Sequence, residues 1–332
     1  MEFQENTQSV IKHETTSNEV AGNEGHQAQG EHETNVGEMI FHHIMNSDEI
    51  EITPLGKIHL PYMFFDKDGF HFFKNREDLS QSTTYKVDPH HYPIKAARAD
   101  GMPISLDLSI SKHLVFMWLA CLLLFLVVRK AAKVNAKSMV PKGIGNFIEV
   151  LVVYVRDEIV LQTIGEAGRK MLPFFLTVFF FILFSNFLGL IPYSSTATGN
   201  ISVTAGLALI AFFMIQISGI QKNGFIGYFK GLIPHGIPTA LLPIMVVVEF
   251  LGLFTKPFAL CIRLFANMTA GHVIILSLLG LIFVFKSVAV SPISIAFSLF
   301  IYLLEILVAL IQAYIFTILS ALFTGMAVHQ EH

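Results

Sequence analysis

Two charges stand alone inside long apolar stretches of this chain. Arg263 lies within PFALCIRLFANMTAGHVIILSLLG and Glu305 within IAFSLFIYLLEILVALIQAYIFTILSALF. A charged side chain near a bilayer midplane costs about 2.5–3.5 kcal/mol on insertion scales. Arginine cannot lower that cost by losing its proton, because its pKa stays above about 12. A residue of this kind persists only against a partner or a water-filled cavity, so it marks an ion path. Glu305 is titratable, and His272, nine residues after Arg263, is an imidazole that exchanges protons near neutral pH. A permanent cation beside an acid and an imidazole, in adjacent apolar segments, is chemistry for handling protons rather than for packing.

The polar neighbours of Arg263 have a helical spacing. Glu249, Lys256 and Arg263 recur every seven residues and Asn267 follows four later, so one helix face can carry all four. Pro257 falls inside that run and works against its register. His272 is half a turn round from Arg263 and is expected to serve a route separate from the arginine's own face. Blander roles compete: Lys256 beside Pro257 also fits a side chain snorkelling to an interface. Asn267 and Gln312 also fit plain interhelical hydrogen bonding.

The elements that position these residues are membrane helices. Of 332 residues 53% are hydrophobic and only 14% charged, against roughly 25% charged in average globular proteins. No charged residue occurs between Met171 and Gln221, and about 20 apolar residues suffice for one crossing, so this interval alone holds two spans. The net charge of −3 sits in loops and the N-terminal region. With no basic patch interleaved with aromatics, nucleic acid is excluded as a ligand. Cys121 and Cys261 fall in apolar segments, which favours packing over a disulfide, and no cysteine or histidine spacing resembles a metal site. No cofactor or metal is expected.

Along the chain, residues 1–36 read as a disordered polar tail, in which His13, His26 and His32 are solvated rather than metal-binding. There is no basic start followed by an apolar core, so no cleavable signal is expected in this sequence. Residues 37–110 change character: EIEITPLGKIHLPYMFF alternates polar and apolar residues, and Asp68-Gly69 between aromatic runs signals a hairpin. A small extracytoplasmic β-containing region fits, with the pairs His42, His43 and His90, His91 as loop residues. Residues 111–332 form the membrane domain. Its first span, from His113 to Val128, is followed by Arg129, Lys130, Lys133, Lys137 and Lys142 with no acid before Glu149. The positive-inside rule then sets this loop in the cytoplasm and the N-terminus outside. Residues 146–170 read as an amphipathic helix at the membrane surface. Spans follow at about 172–191 and 201–220, joined by the uncharged loop PYSSTATGN, and then two long segments at about 238–286 and 291–328. As a helix the last would extend roughly 55 Å against a hydrocarbon core of about 30 Å. Only Pro292, at its start, offers a break, so it is expected to tilt. The fold class is an all-α polytopic membrane protein of about five transmembrane helices, the last two long, tilted and packed as an antiparallel hairpin. In such a hairpin, residues at one depth share a nearly constant index sum. His272 with Glu305, and Arg263 with Gln312, satisfy the same sum to within two.

KPFALCIRLFANMTAGHVI, the later ALIQAYIFTILSALF and the upstream FSNFLGLIP together resemble subunit a of the F-type ATP synthases, from about Leu114 to Val328. The resemblance implies that Arg263 is the essential arginine and Asn267 its polar neighbour. It assigns the acid one helix length earlier to Glu249 and the glutamine of the last helix to Gln312. His272 and Glu305 fall at that family's two titratable positions, with acid and histidine exchanged relative to some bacterial members. Gly189 and Ser194 stand where some members carry acids. The implied function is a stator with two offset half-channels facing a rotating c-subunit ring, in company with b subunits and the F1 sector, in the bacterial plasma membrane. His272 and Glu305 would serve the outer half-channel and Glu249 the cytoplasmic one. The subunit is not itself an enzyme, and no GxxxxGK[ST] nucleotide loop is present. An ion-coupled secondary transporter and a respiratory-complex anchor are the competing classes. The first calls for inverted repeats with paired broken helices, and the second for haem or quinone ligands within the spans.

Overall fold

The computed structural model describes residues 49–52, 56–88, 95–99, 104–135, 143–191, 194–231, 242–285 and 290–329. The tail 1–36, the histidine pairs at 42–43 and 90–91, and Lys137 and Lys142 lie outside them.

The N-terminal strands form three small antiparallel ladders: β1 (Glu49–Ile52) with β2 (Gly56–His59), β3 (Tyr62–Asp66) with β4 (Gly69–Phe73) and β7 (Leu106–Asp107), and β5 (Tyr85–Asp88) with β6 (Lys95–Arg98). A short helix, α1 (Arg76–Ser80), follows β4. The expected hairpin is β3–β4. Asp66 pairs with Gly69, which centres the turn on Lys67-Asp68 and leaves Gly69 at φ +114°, where glycine has no steric cost. The period-two pattern of β3 puts Tyr62, Phe64 and Asp66 inside and Phe65 outside. Tyr62 and Phe64 pack with Leu79, Tyr85 and Ala96 in a core of their own. Asp66 is tolerated there because donors surround it. The Lys67 backbone N–H, then the Arg98 guanidinium at 2.6 Å and the Tyr85 hydroxyl at 3.2 Å, hold its carboxyl below the usual carboxylate range against the opposing effect of burial.

The rest is helical: α2 (Lys112–Asn135), α3 (Ile144–Tyr154), α4 (Leu172–Gly189), α5 (Ile201–Asn223), α6 (Phe225–Gly231), α7 (Leu242–Phe285) and α8 (Ser291–Val328). Among the described residues five stretches are long and apolar enough to cross a membrane: Lys112–Lys133, Leu172–Gly189, Ile201–Asn223, Pro243–Ile282 and Ser291–Val328. This is the expected polytopic helical architecture, and the chain is a multi-pass membrane protein. The amphipathic segment begins as α3 and passes into a π-helical stretch, Val155–Leu161. There the wider turn brings Val155, Ile159 and Val160 into the core while Arg156 and Asp157 pair outside at 2.7 Å.

Helix α4 is largely apolar and more than half buried, with Ser185 and Asn186 among its buried residues. Helix α8 has a different device, a row of small and hydroxyl residues (Ala309, Ala313, Thr317, Ser320, Ala321, Thr324, Gly325) that lets neighbouring backbones come close. At Gly325 an added Cβ would collide with the Thr163 carbonyl. The hydroxyls of Thr317 and Thr324 donate to carbonyls one turn earlier, so they add no unsatisfied group to the interior. Helices α7 and α8 run unbroken for 44 and 38 residues. At 1.5 Å per residue these are roughly 66 and 57 Å long. Both lengths exceed a hydrocarbon core of about 30 Å. Helix α7 continues unbroken through Pro257, giving up the one backbone hydrogen bond proline cannot donate.

Candidate functional site

Two polar pairs set the register between α7 and α8. His272 Nδ1 stands 2.5 Å from Glu305 Oε1, and Asn267 Nδ2 donates to Gln312 Oε1 at 2.8 Å. Gln312 therefore meets Asn267, one turn along from Arg263. Moving from the first pair to the second goes back along α7 and forward along α8, as antiparallel helices require.

Glu305 is buried and His272 half-buried. Despite the short distance, the imidazole is not aligned to donate, and Glu305 Oε1 has no hydrogen-bond donor of its own. An imidazole this close to a buried carboxylate can exchange a proton with it. The approach depends on Gly271: a Cβ there would lie 2.7 Å from Glu305 Oε1 and 2.9 Å from its Cδ. Since those atoms end a flexible side chain, an added methyl would displace the carboxyl group rather than the helices.

Arg263 is on an exposed face of α7, with no ion pair or hydrogen bond among the described residues. Ala259, Ile262, Ala266, Asn267 and Ala270 are exposed on the same helical stripe. Short side chains thus flank a guanidinium that nothing among the described residues neutralises.

Two cavities lie on either side of this point along α7. The first, of about 330 Å³, is lined by His113, Ser194, Thr196, Met268, Thr269, His272, Tyr302 and Glu305 among others. The second, of about 220 Å³, is lined by Gln216, Tyr228, Glu249, Lys256, Pro257 and Phe323 among others. Arg263 lines neither cavity. From Pro257 to Met268 the helix rises roughly 16 Å. Within that interval Leu260 and Leu264 are buried, and the Asn267–Gln312 bond ties α7 to α8. The residues singled out from sequence therefore fall into three groups: Glu249 with Lys256, Arg263 with Asn267 and Gln312, and His272 with Glu305. Lys256 Nζ rests 5.1 Å from the centre of the Phe323 ring, which supplies some of the stabilisation it lacks in an apolar setting.

Several residues of these walls are not singled out by the sequence. Tyr302 OH donates to the Leu190 carbonyl at 3.0 Å, and Tyr228 OH to Gln216 Oε1 at 2.7 Å. The loop after α4 holds a buried chain: Thr196 and Thr198 hydroxyls are 2.7 Å apart, Thr198 donates to Asn186 Oδ1 at 2.7 Å, and Asn186 Nδ2 to the Ala309 carbonyl at 3.3 Å. The signal for it is present in SSTATGN, a cluster of hydroxyls in a region otherwise short of polar groups. Gly189 and Ser194 both line the first cavity. A Cβ at Gly189 would strike Thr196, and the Ser194 hydroxyl donates to the carbonyls of Leu188 and Ile191.

Comparison with known proteins converges on one family. Residues 114–325 match the family described as ATP synthase A chain. The chain is 46% identical over 296 residues to ATP synthase subunit a of Chloroherpeton thalassium, covering 88% of this chain and 77% of that one. It is 53% identical over 229 residues to the subunit a of Myxococcus xanthus (68% and 75% of the two chains). Against that of Chlorobium phaeobacteroides strain BS1 it is 44% identical over 322 residues (95% and 84%). An arginine without a partner among the described residues, set between two separate cavities along a long unbroken helix, agrees with that match: the chain belongs to the ATP synthase A chain family.

Proposed function

We propose that this chain is the proton-translocating stator subunit of the F0 sector of an ATP synthase. In this reading Arg263 faces the carboxylates of a c-subunit ring and the two cavities are half-channels that reach it from opposite sides of a bacterial plasma membrane. The observation that carries the reading is Arg263 itself: exposed, without a partner among the described residues, and lining neither cavity. A charge left in this state in a membrane span needs a counter-charge from another chain. The small residues around it leave room for a neighbouring helix to pass.

The cycle follows from the chemistry of the two sides. A proton entering the first cavity passes by way of His272 and Glu305 to a ring carboxylate. Neutralised, the ring site can leave the guanidinium and turn through lipid, since an uncharged carboxyl is far cheaper there than a carboxylate. On arriving at the second cavity, lined by Glu249 and Lys256, it loses the proton to the other side. Arg263 favours the deprotonated ring site and bars direct passage between the cavities. At 4 Å and an effective dielectric of 20, attraction between unit charges is about 4 kcal/mol, equivalent to roughly three pKa units. Asn267 and Gln312 hold α7 and α8 in register beneath it. The chain carries no nucleotide chemistry; b subunits and the F1 sector would complete the assembly. A secondary transporter is disfavoured, because that mechanism uses broken helices near the midplane and α7 and α8 are continuous.

The basic residues Arg129, Lys130 and Lys133 at the end of α2 orient the fold, with the N-terminal strands outside, the first cavity outer, and the C-terminus cytoplasmic. The domain division is then a tail (1–36), an extracytoplasmic β-containing region (37–110) and the membrane domain (111–332). A C-terminally tagged chain is expected to copurify with a c-ring and F1. Protease added outside spheroplasts should remove the N-terminal region and spare the tag. Isolation of the chain without a ring would refute the function, and cleavage of the tag with a protected N-terminal region would invert the two half-channels.

A further inference from the structure

We infer that His113, at the start of α2, is an entry relay that passes protons between the outer surface and the His272–Glu305 pair. This rests on the half-channel reading above and adds to it a residue that precedes the family match at 114–325.

Helix α2 is the least buried of the short spans: among its described residues only Lys112, His113, Ala120 and Ala131 are buried. Two alanines are what close helix contact requires. The buried imidazole of His113, besides, stands on the wall of the first cavity. His113 Nε2 would lie 3.9 Å from a Cβ on Gly199, so the ring reaches the loop that follows α4. That loop contributes Ser194, Ser195 and Thr196 to the cavity, and His272 and Glu305 line it from α7 and α8. Imidazole, hydroxyls, imidazole and carboxylate therefore border one space of about 330 Å³, ample for several waters at about 30 Å³ each.

The position in the chain gives His113 its order in the path. Backbone bonds from Leu108 to Met63 (2.8 Å) and from Ile110 to Pro61 (3.3 Å) extend the β3 ladder to within two residues of α2. His113 is thus at the edge of the span, next to the N-terminal strands, whereas Glu305 lies fourteen residues into α8. A neutral imidazole accepts a proton on one ring nitrogen and releases the proton from the other. Once the second nitrogen has released its proton the ring is neutral again, and a ring turn or tautomer exchange through water restores its first form, with one proton moved and no net chemistry. Among the described residues Lys112 is the charged neighbour on its own helix, and Tyr302 and Glu305 on α8 and His272 on α7 are the titratable groups that share its cavity. Among the described residues, α4 and the loop after it bring no charged or titratable group to this cavity, only hydroxyls, backbone and the side chains of Leu190 and Ile191.

The test uses the whole ATP synthase in proteoliposomes, with the pH varied in the compartment that faces the N-terminal region. A relay matters most where free protons are scarce. His113→Gln is expected to match wild-type ATP synthesis near about pH 6 and to fall about five-fold by about pH 8. Imidazole added to that compartment should restore the rate, and His113→Glu, which still titrates, should stay within about two-fold of wild type. F1 hydrolysis and complex yield should not change. Wild-type rates for His113→Gln across the range overturn the inference. So does a loss independent of pH that imidazole does not relieve, which marks a packing role. Arg263→Ala measured alongside separates the levels: if it too makes ATP normally, the half-channel reading itself fails.

Discussion

Replacing Arg263 with alanine is expected to abolish proton-driven ATP synthesis while the complex still assembles. Among the described residues the side chain is exposed and makes no ion pair or hydrogen bond that would hold them together. Removing it should therefore cost little stability, and membrane extracts should contain the subunit at normal levels. The functional loss comes from the missing charge. Without it, a ring carboxylate loses an attraction of about 4 kcal/mol, a factor of about a thousand in the rate of a step that depends on it. Arg263→Lys should fail nearly as badly, because a lysine can shed its proton when desolvated and arginine cannot. The measurements are ATP synthesis by energised vesicles and ATP-driven acidification in inverted ones, normalised to complex content. Synthesis above about a tenth of wild type in either variant would remove Arg263 from the mechanism, since a thousand-fold step leaves no room for it.

The second large effect is expected at Glu305. Glu305→Gln keeps the volume of the buried side chain and removes its proton. Proton transfer by a positioned side chain is commonly worth about 10²–10⁴; in a path that also contains waters and His272, a fall of at least about ten-fold in pumping is expected. Because Glu305 and His272 are 2.5 Å apart, their effects should not add. The double variant His272→Ala/Glu305→Gln should be little worse than the more severe single one, as for any two residues acting as a unit. Exchange of the two, His272→Glu with Glu305→His, keeps the chemistry and should recover more flux than either half of the exchange. Gly271→Ala provides a control on geometry. It changes no titratable group, but its methyl would enter the space of the Glu305 carboxyl, so pumping should drop several-fold with assembly intact. Additive single effects together with a silent Gly271→Ala would show that the pair does not work as a relay.

The sequence by itself determined more of this protein than is usual, and the reason is the solvent. In a bilayer a span must be long, apolar and helical, since backbone groups find no water there. Five such stretches in a chain with 14% charged residues leave little choice of architecture. The same cost makes each charge within a span informative, which is why Arg263 and Glu305 stand out from residue type and position alone. Even the depth match of His272 with Glu305 follows from the fixed rise of a helix.

Only the tertiary structure decided what these residues meet. Helical spacing puts Glu249, Lys256, Arg263 and Asn267 on one face, yet the first two line a cavity and Arg263 does not. The difference comes from neighbouring helices, as α5, α6 and α8 close over one end of α7 and leave the arginine open. Gln312 matches Arg263 in depth but hydrogen-bonds Asn267, because a constant index sum gives depth and not direction. The contribution of Gly271 is invisible in the sequence, since a glycine in a helix carries no signal until the carboxyl group opposite is placed. His113 reads from sequence only as the start of a span. Its burial beside a cavity depends on a loop more than eighty residues away folding back over α2, which no local pattern encodes.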